Sequence, residues 1–191
     1  MNIIKTGIVG LVVIEPQVFG DERGWFMEMH SQPKFEAAQI ESGVVQINHS
    51  FSTKGVLRGL HFQAPPHDQS KLVRCVNGRL FDAVVDIRRG SPTFGQWFGL
   101  ELSAENKKML FVPSGFAHGF CALEDCELMY LCGRSAYHKE AEGGLRYNAP
   151  EVGIRWPIES ELVMNDRDRD FPTLVELSTP FVYQAVTREL V

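Results

Sequence analysis

Short apolar runs separated by glycine and proline organise the whole chain. Runs rich in Val, Ile, Leu and Phe fall at 8–14, 25–29, 44–51, 56–62, 72–76, 80–87, 97–102, 109–112, 116–123 and 127–132. Many short strands at regular spacing predict an all-β protein, and an antiparallel two-sheet jelly roll accommodates this number of them. Within 80–87, Asp82 and Asp86 alternate with Phe81, Ala83, Val85 and Ile87. That period of two predicts a half-buried strand with the two acids on its open face. Asn77-Gly78, between two such runs, predicts a tight hairpin. One helix is expected over 31–40, with Ser31 as cap, Pro33 near its start and Gly43 beyond its end. Residues 103–107 form at most one turn, and polar 161–170 is a short helix or a loop. No repeat, linker or low-complexity stretch divides the chain, so 1–191 reads as one domain with a tail at 173–191.

Composition narrows the partners. Hydrophobic residues make up 44% and charged residues 23% of the 191, a globular mix rather than a disordered one. Lys and Arg number 19 against 24 Asp and Glu, a formal charge of −5, so the basic footprint of a nucleic-acid binder is absent. The apolar run at 8–14 is short, has no cleavage signal after it and is closed by Glu15-Pro16, which fits a buried strand better than a secretory leader. No stretch approaches the ~20 apolar residues of a membrane helix, so no membrane partner is expected. Cys75, Cys121, Cys126 and Cys132 form no C-x-x-C pair and read as reduced thiols of a cytoplasmic protein.

Several constellations carry chemistry. In 55–63, GVLRGLHFQ, Arg58 and His61 differ in strand parity, and Gly59 between them is placed to make a bulge that re-aims one of them. Lys71 follows ten residues after His61. In 112–120, VPSGFAHGF, the Pro-x-Gly-x-x-His pattern is similar to the second signature of cupin barrels. The His-x-His-plus-acid of the first cupin signature is missing, which leaves a metal centre built on His49, His61 and His118 incomplete. A zinc site from His118, Cys121, Cys126 and Cys132 matches no common spacing. The run 165–172, NDRDRDFP, reads by itself as a solvated surface loop of alternating charge. Arg23 and Glu28 sit in a turn and strand, DERGWFME, and Tyr130 in an apolar strand.

Taken in order, these segments resemble the dTDP-4-dehydrorhamnose 3,5-epimerase family. The resemblance runs from about residue 8 to about 172, through DERGWFME, QINHS, KGVLRGLHFQ, QSKLVRC, DIRRGSPTFGQW, VPSGFAHGF, Trp156-Pro157 and the acidic–basic run before Pro172. It implies a cupin-like jelly roll, a homodimer, no cofactor and no metal. It implies a dTDP-4-keto-6-deoxy sugar substrate, inverted at C3 and C5. His61 corresponds to the base, Asp168 to its orienting aspartate, Tyr130 to the acid and Lys71 to the strand lysine. Binding positions correspond to Arg23, Glu28, Gln46, Asn48, Arg58, His118, Tyr137, Glu142 and Arg167. The chain departs from the family pattern at Leu131 and Arg167, where lysine is usual, and 133–142 carries one extra residue.

The residue types suit the reaction. A ketone acidifies the hydrogens on its neighbouring carbons, and a base with a pKa near working pH removes one best. An aspartate on the far nitrogen fixes the tautomer of a histidine and stabilises its imidazolium. A lysine can hold the enolate oxygen, and a tyrosine can return a proton from the other face. Arginine forks match a diphosphate. Epimerisation at C3 alone or at C5 alone, a metal-dependent cupin enzyme and a non-catalytic sugar-binding barrel are the alternatives. The N-terminal strand, within 3–14, could pair with a partner's sheet edge.

Overall fold

A computed structural model describes residues 1–157 and 161–184. In chain order its strands are β1 (Asn2–Lys5), β2 (Val12–Glu15), β3 (Val18–Asp21) and β4 (Gly24–Met27), then, after helix α1 (Gln32–Ala37), β5 (Gln46–Ser52) and β6 (Leu57–Gln63). They continue as β7 (Ser70–Asn77), β8 (Arg79–Asp86), β9 (Trp97–Ser103), β10 (Met109–Val112), β11 (Phe116–Ala122), β12 (Cys126–Gly133) and β13 (Glu142–Gly144), with helix α2 (Asp166–Arg169) near the end. One six-stranded sheet has the order β1-β2-β10-β7-β12-β5, and a five-stranded sheet has the order β13-β6-β11-β8-β9. All pairings within them are antiparallel. The result is the expected all-β, cupin-like jelly roll.

Strand alternation sorts the apolar residues into three layers. Leu11, Val13, Val73, Leu80, Val84, Leu110 and Phe120 face inward and fill one end of the space between the sheets. Val12, Ile14, Leu72, Met109 and Phe111, one residue out of phase, face outward from the six-stranded sheet and are covered by Phe35 and Ile40. Leu60, Phe62, Val85 and Ile87 face outward from the other sheet, against Leu145, Ala149, Val152 and Phe181. Both sheets are therefore covered on both faces over their central strands, so those strands read as near-continuous apolar runs.

Five expectations change. Asn77-Gly78 is not a hairpin, because β7 and β8 belong to different sheets. The chain crosses the sandwich there; Gly78 has φ +66, and an added Cβ would lie 2.1 Å from the Asp125 carbonyl oxygen. Turn chemistry favours a sharp reversal here but does not decide whether the strands on either side pair. Asp82 and Asp86 keep the expected parity, yet both are fully buried. Asp86 accepts hydrogen bonds from the hydroxyls of Ser91 (2.6 Å) and Thr93 (2.7 Å) and from the Arg88 guanidinium, all within the turn after β8. The 8–14 run is strand only from Val12, and Ser31 makes no side-chain cap to the shorter α1. The segment 165–172 is not a solvated loop, since α2 buries Asp168.

The N-terminal strand β1 pairs with β2 of its own chain at the sheet edge. Part of the tail is structured: Thr179 Oγ1 donates to the Ile87 carbonyl, and Phe181 packs on the outer layer. Residues 185–191 lie outside the described residues. The hairpin β3–β4 stands apart, touching the six-stranded sheet where Arg74 and Lys107 lie over the Trp25 ring at 5.8 and 4.9 Å. Among the described residues, no helix is long and apolar enough to cross a membrane.

The crossover at Gly78 yields a stability test. Gly78→Ala adds a left-handed conformation, about 1–2 kcal/mol, and a backbone clash, about 1–3 kcal/mol. Urea unfolding is expected to show a loss of about 2–5 kcal/mol. A near-neutral result would mean that the crossover does not need glycine.

Candidate active site

The site begins with a bulge. Opposite β11, Arg58 pairs with Phe120 and His61 with His118, so three steps on β6 face two on its neighbour. Gly59 supplies the extra residue at φ +124, and its peptide bond to Leu60 is cis. A Cβ on Gly59 would lie 2.6 Å from the Gly119 Cα, and one on Gly119 would lie 2.6 Å from the Arg58 carbonyl oxygen. Neither position admits a side chain. The extra residue puts Arg58 and His61, of opposite parity, into one cavity.

Asp168 reaches that bulge from the far end of the chain. Its Oδ1 lies 2.9 Å from His61 Nε2, and its Oδ2 accepts the Gly59 N–H at 2.9 Å. Asn165 caps α2 by accepting the Asp168 N–H at 2.7 Å. Asp168 is fully buried while His61 stays partly open to the cavity. Burial by itself would raise the Asp168 carboxyl, but His61, the Gly59 N–H and the Arg167 charge outweigh it and hold the pKa below the ordinary 3.8. The carboxylate therefore stays ionised beside the imidazole. The Phe171 ring meets His61 edge-on at 5.7 Å and closes that side.

The opposite wall is β7 and β12. Lys71 and Tyr130 project between the sheets with His61. Among the described residues neither Lys71 Nζ nor the Tyr130 hydroxyl has a hydrogen-bond partner. Burial pulls the Lys71 ammonium down, with Cys132, Asp82 and Glu142 pulling the other way. Burial also pushes the Tyr130 phenol up, which keeps it protonated. Two adjoining lobes, of about 200 and 300 Å³, share His61, Lys71, Tyr130 and Glu142.

A second acid–histidine pair lies beside the first. His118 Nε2 is 2.9 Å from both oxygens of Asp82, and both residues are buried. Asp82 was not among the candidate residues. Its strand alternation was visible, but alternation alone does not tell a solvent face from a polar cavity. Arg58 donates to the Ser52 hydroxyl and the Phe51 carbonyl. At the rim, Gln46 Nε2 donates to Asn48 and its Oε1 accepts the Tyr137 N–H. Glu142 accepts from the Tyr137 hydroxyl at 3.1 Å and from Arg167 at 2.5 Å.

Arg23 and Glu28 do not join the cavity within one chain. The Arg23 side chain is 84% exposed and forks onto Asp21, and Glu28 pairs with Lys34 at 2.7 Å. Both follow from the hairpin standing away from the barrel. A metal centre of His49, His61 and His118 is not assembled, because His49 points from the outer face of β5 to Glu127 at 2.8 Å. The zinc alternative fails similarly: Cys121 lines a cleft on the outer face of the five-stranded sheet, whereas Cys132 lies inside beside Lys71. That outer cleft, about 410 Å³, is roomier than either lobe, but its Arg79 is tied to Glu101 and Glu124 and, among the described residues, no histidine lines it.

A family model described as dTDP-4-dehydrorhamnose 3,5-epimerase matches residues 5–176. The chain is 52% identical over 172 residues to the dTDP-4-dehydrorhamnose 3,5-epimerase of Shigella flexneri, covering 88% of this chain and 93% of that one. It is 46% identical over 178 residues to that of Escherichia coli K12, covering 93% and 96%. A crystal structure of dTDP-6-deoxy-D-glucose-3,5-epimerase from Legionella pneumophila, in complex with dTDP-4-keto-L-rhamnose, superposes with a TM-score of 0.91 at 43% identity, covering 96% and 99%. A 3'-monoepimerase from Streptomyces bikiniensis, in complex with dTDP-quinovose, superposes at 0.84 with 36% identity, covering 91% and 88%.

The ionised Asp168 makes stability depend on pH. Its folded pKa lies below the unfolded value near 3.8, so its contribution is complete above that value and fades as pH falls through the folded one. The urea-stability difference between wild type and Asp168→Asn is expected to hold from pH 7 to about 5 and to shrink below 4. A difference unchanged down to pH 3 would contradict the assignment.

Proposed function

The chain belongs to the dTDP-4-dehydrorhamnose 3,5-epimerase family, and we propose that its activity resides in the cavity where His61, Asp168, Lys71 and Tyr130 meet. The enzyme inverts C3 and C5 of dTDP-4-dehydro-6-deoxy-D-glucose to give dTDP-4-dehydro-L-rhamnose, a step in dTDP-L-rhamnose synthesis. The observation that carries the site is the buried His61–Asp168 pair opening onto a space that Lys71 and Tyr130 line from the other side.

His61 donates its Nε2–H to Asp168, which leaves Nδ1 as the basic atom. That nitrogen takes the proton beside the C4 ketone, and Asp168 stabilises the imidazolium formed. The electron pair moves onto the ketone oxygen as an enolate. Lys71, with its ammonium unpaired in a partly dry cavity, supplies the charge that meets this oxygen. Tyr130, kept protonated by burial, returns a proton to the opposite face of the carbon, and that step inverts it. Once His61 has released its proton to solvent and Tyr130 has regained one, repetition at the second carbon completes the reaction, and these proton transfers call for no cofactor or metal. Arg58 and Arg167 are the diphosphate-facing cations. Gln46, Asn48, His118, Tyr137 and Glu142 hold the remainder of the nucleotide sugar.

A homodimer accounts for the two binding residues that lie off the cavity. The β3–β4 hairpin exposes Phe19, Trp25 and Phe26 beside Arg23, an apolar surface suited to a second copy of the chain. In this reading Arg23 and Glu28 enter the partner's cavity. Four buried, unpaired cysteines support a cytoplasmic setting.

Two tests follow. Proton NMR of the 4-keto substrate in deuterium oxide is expected to show deuterium entering at C3 and C5 with the wild type. His61→Asn and Tyr130→Phe are each expected to slow turnover by about 10²–10⁴-fold; wild-type exchange in His61→Asn would remove the assigned base. Mixing and reassociating His61→Asn with Arg23→Ala subunits is expected to restore activity, because one hybrid site regains both residues. Continued inactivity of the mixture would place Arg23 in its own chain's site.

A further inference from the structure

Gln63 lies two residues along β6 from His61 and is not among the residues assigned above to chemistry or binding. Its side chain is buried and its carboxamide ties two loops together. Nε2 donates to the His67 carbonyl at 2.6 Å and to the Ala136 carbonyl at 3.1 Å, while Oε1 accepts the His138 N–H at 2.7 Å. His67 closes the turn after β6, its N–H donating to the Ala64 carbonyl. Ala136 and His138 lie on the connection between β12 and β13. The His67 and His138 rings stack at 3.7 Å and join the same two loops.

Tyr137 sits between the two anchored residues. Its own N–H goes to Gln46, and its hydroxyl goes to Glu142, which is the register partner of Gln63 across β6 and β13. Tyr137 itself is half exposed, so the ties to its flanking peptides come from inside the barrel. Without them the connection would have to be ordered anew each time ligand binds, which weakens binding rather than the chemical step.

We propose that Gln63 is a positioning residue that clamps the 134–138 connection at the cavity mouth and thereby sets the placement of Tyr137 and Glu142 against substrate. The proposal rests on the epimerase assignment for its kinetic readout and on geometry alone for its structural one. Gln63 borders the outer lobe, but its carboxamide is taken up by backbone groups of the two loops, so its loss is expected in KM rather than kcat.

The test compares wild type, Gln63→Leu and Gln63→Glu. Both variants are expected to raise KM about tenfold with kcat within about threefold. Amide hydrogen exchange at Tyr137 and His138 is expected to quicken at least tenfold, with β6 and β11 unchanged. Gln63→Glu keeps the side-chain size, so it remains informative if the leucine variant fails to fold. Its carboxylate sets an oxygen against the carbonyls of His67 and Ala136, and its KM relative to wild type is expected to fall as the pH is lowered towards carboxyl protonation. A loss confined to kcat, or unchanged loop exchange, overturns the clamp. If wild type itself fails to turn over the 4-keto substrate, the functional assignment fails, while the exchange comparison still decides the clamp.

Discussion

A buried carboxylate with no room to move is the constraint on which the site depends. Asp168 cannot sit uncompensated in the interior, where removal of one partner from a buried charge pair costs about 3–5 kcal/mol. Its partners are the His61 ring, the Gly59 N–H and, at 3.5 Å, the Arg167 guanidinium. The bulge brings the first two together, and the bulge exists because Gly59 and Gly119 leave each other space. A steric fact about two backbones thus determines where a histidine and its counter-charge meet.

The barrel around this pair divides its interior. One end is filled by aliphatic side chains, and the other is lined by Arg58, His61, Lys71, Asp82, His118 and Tyr130. A polar cavity of this kind gives up apolar burial that a closed core would have used. The outer layers offset that loss: α1 covers one sheet, and 145–152 with Phe181 covers the other. The walls that hold the functional groups are in this way packed on their backs, which keeps the groups in register with one another.

Much of this was legible in the sequence, for reasons that also mark the limits. Strand positions were readable because apolar runs and turn residues alternate so regularly. The bulge was readable from a glycine between two polar residues of opposite parity. His61, Lys71, Tyr130 and Asp168 were legible as a set only through their resemblance to a family, since nothing local says that residue 168 meets residue 61. Other features were not legible at all. Asn77-Gly78 carries the chemistry of a hairpin whether its strands pair or part. Asp82 alternates like a solvent-facing acid, because a polar cavity and bulk water impose the same period. Arg23 looks like a site residue, yet nothing local says that the hairpin carrying it stands away from its own chain's cavity. Gln63 makes only hydrogen bonds to backbone, which leave no trace in a pattern of side-chain types.

The position of Asp168 on a four-residue helix outside the sheets has a further consequence. Strand ladders open only when the whole barrel opens, whereas so short a helix is held by its cap and a few contacts to β6 and can detach alone. On heating, His61 would lose its counter-charge while the jelly roll was still intact. Loss of that pair and opening of the barrel would then be separate events.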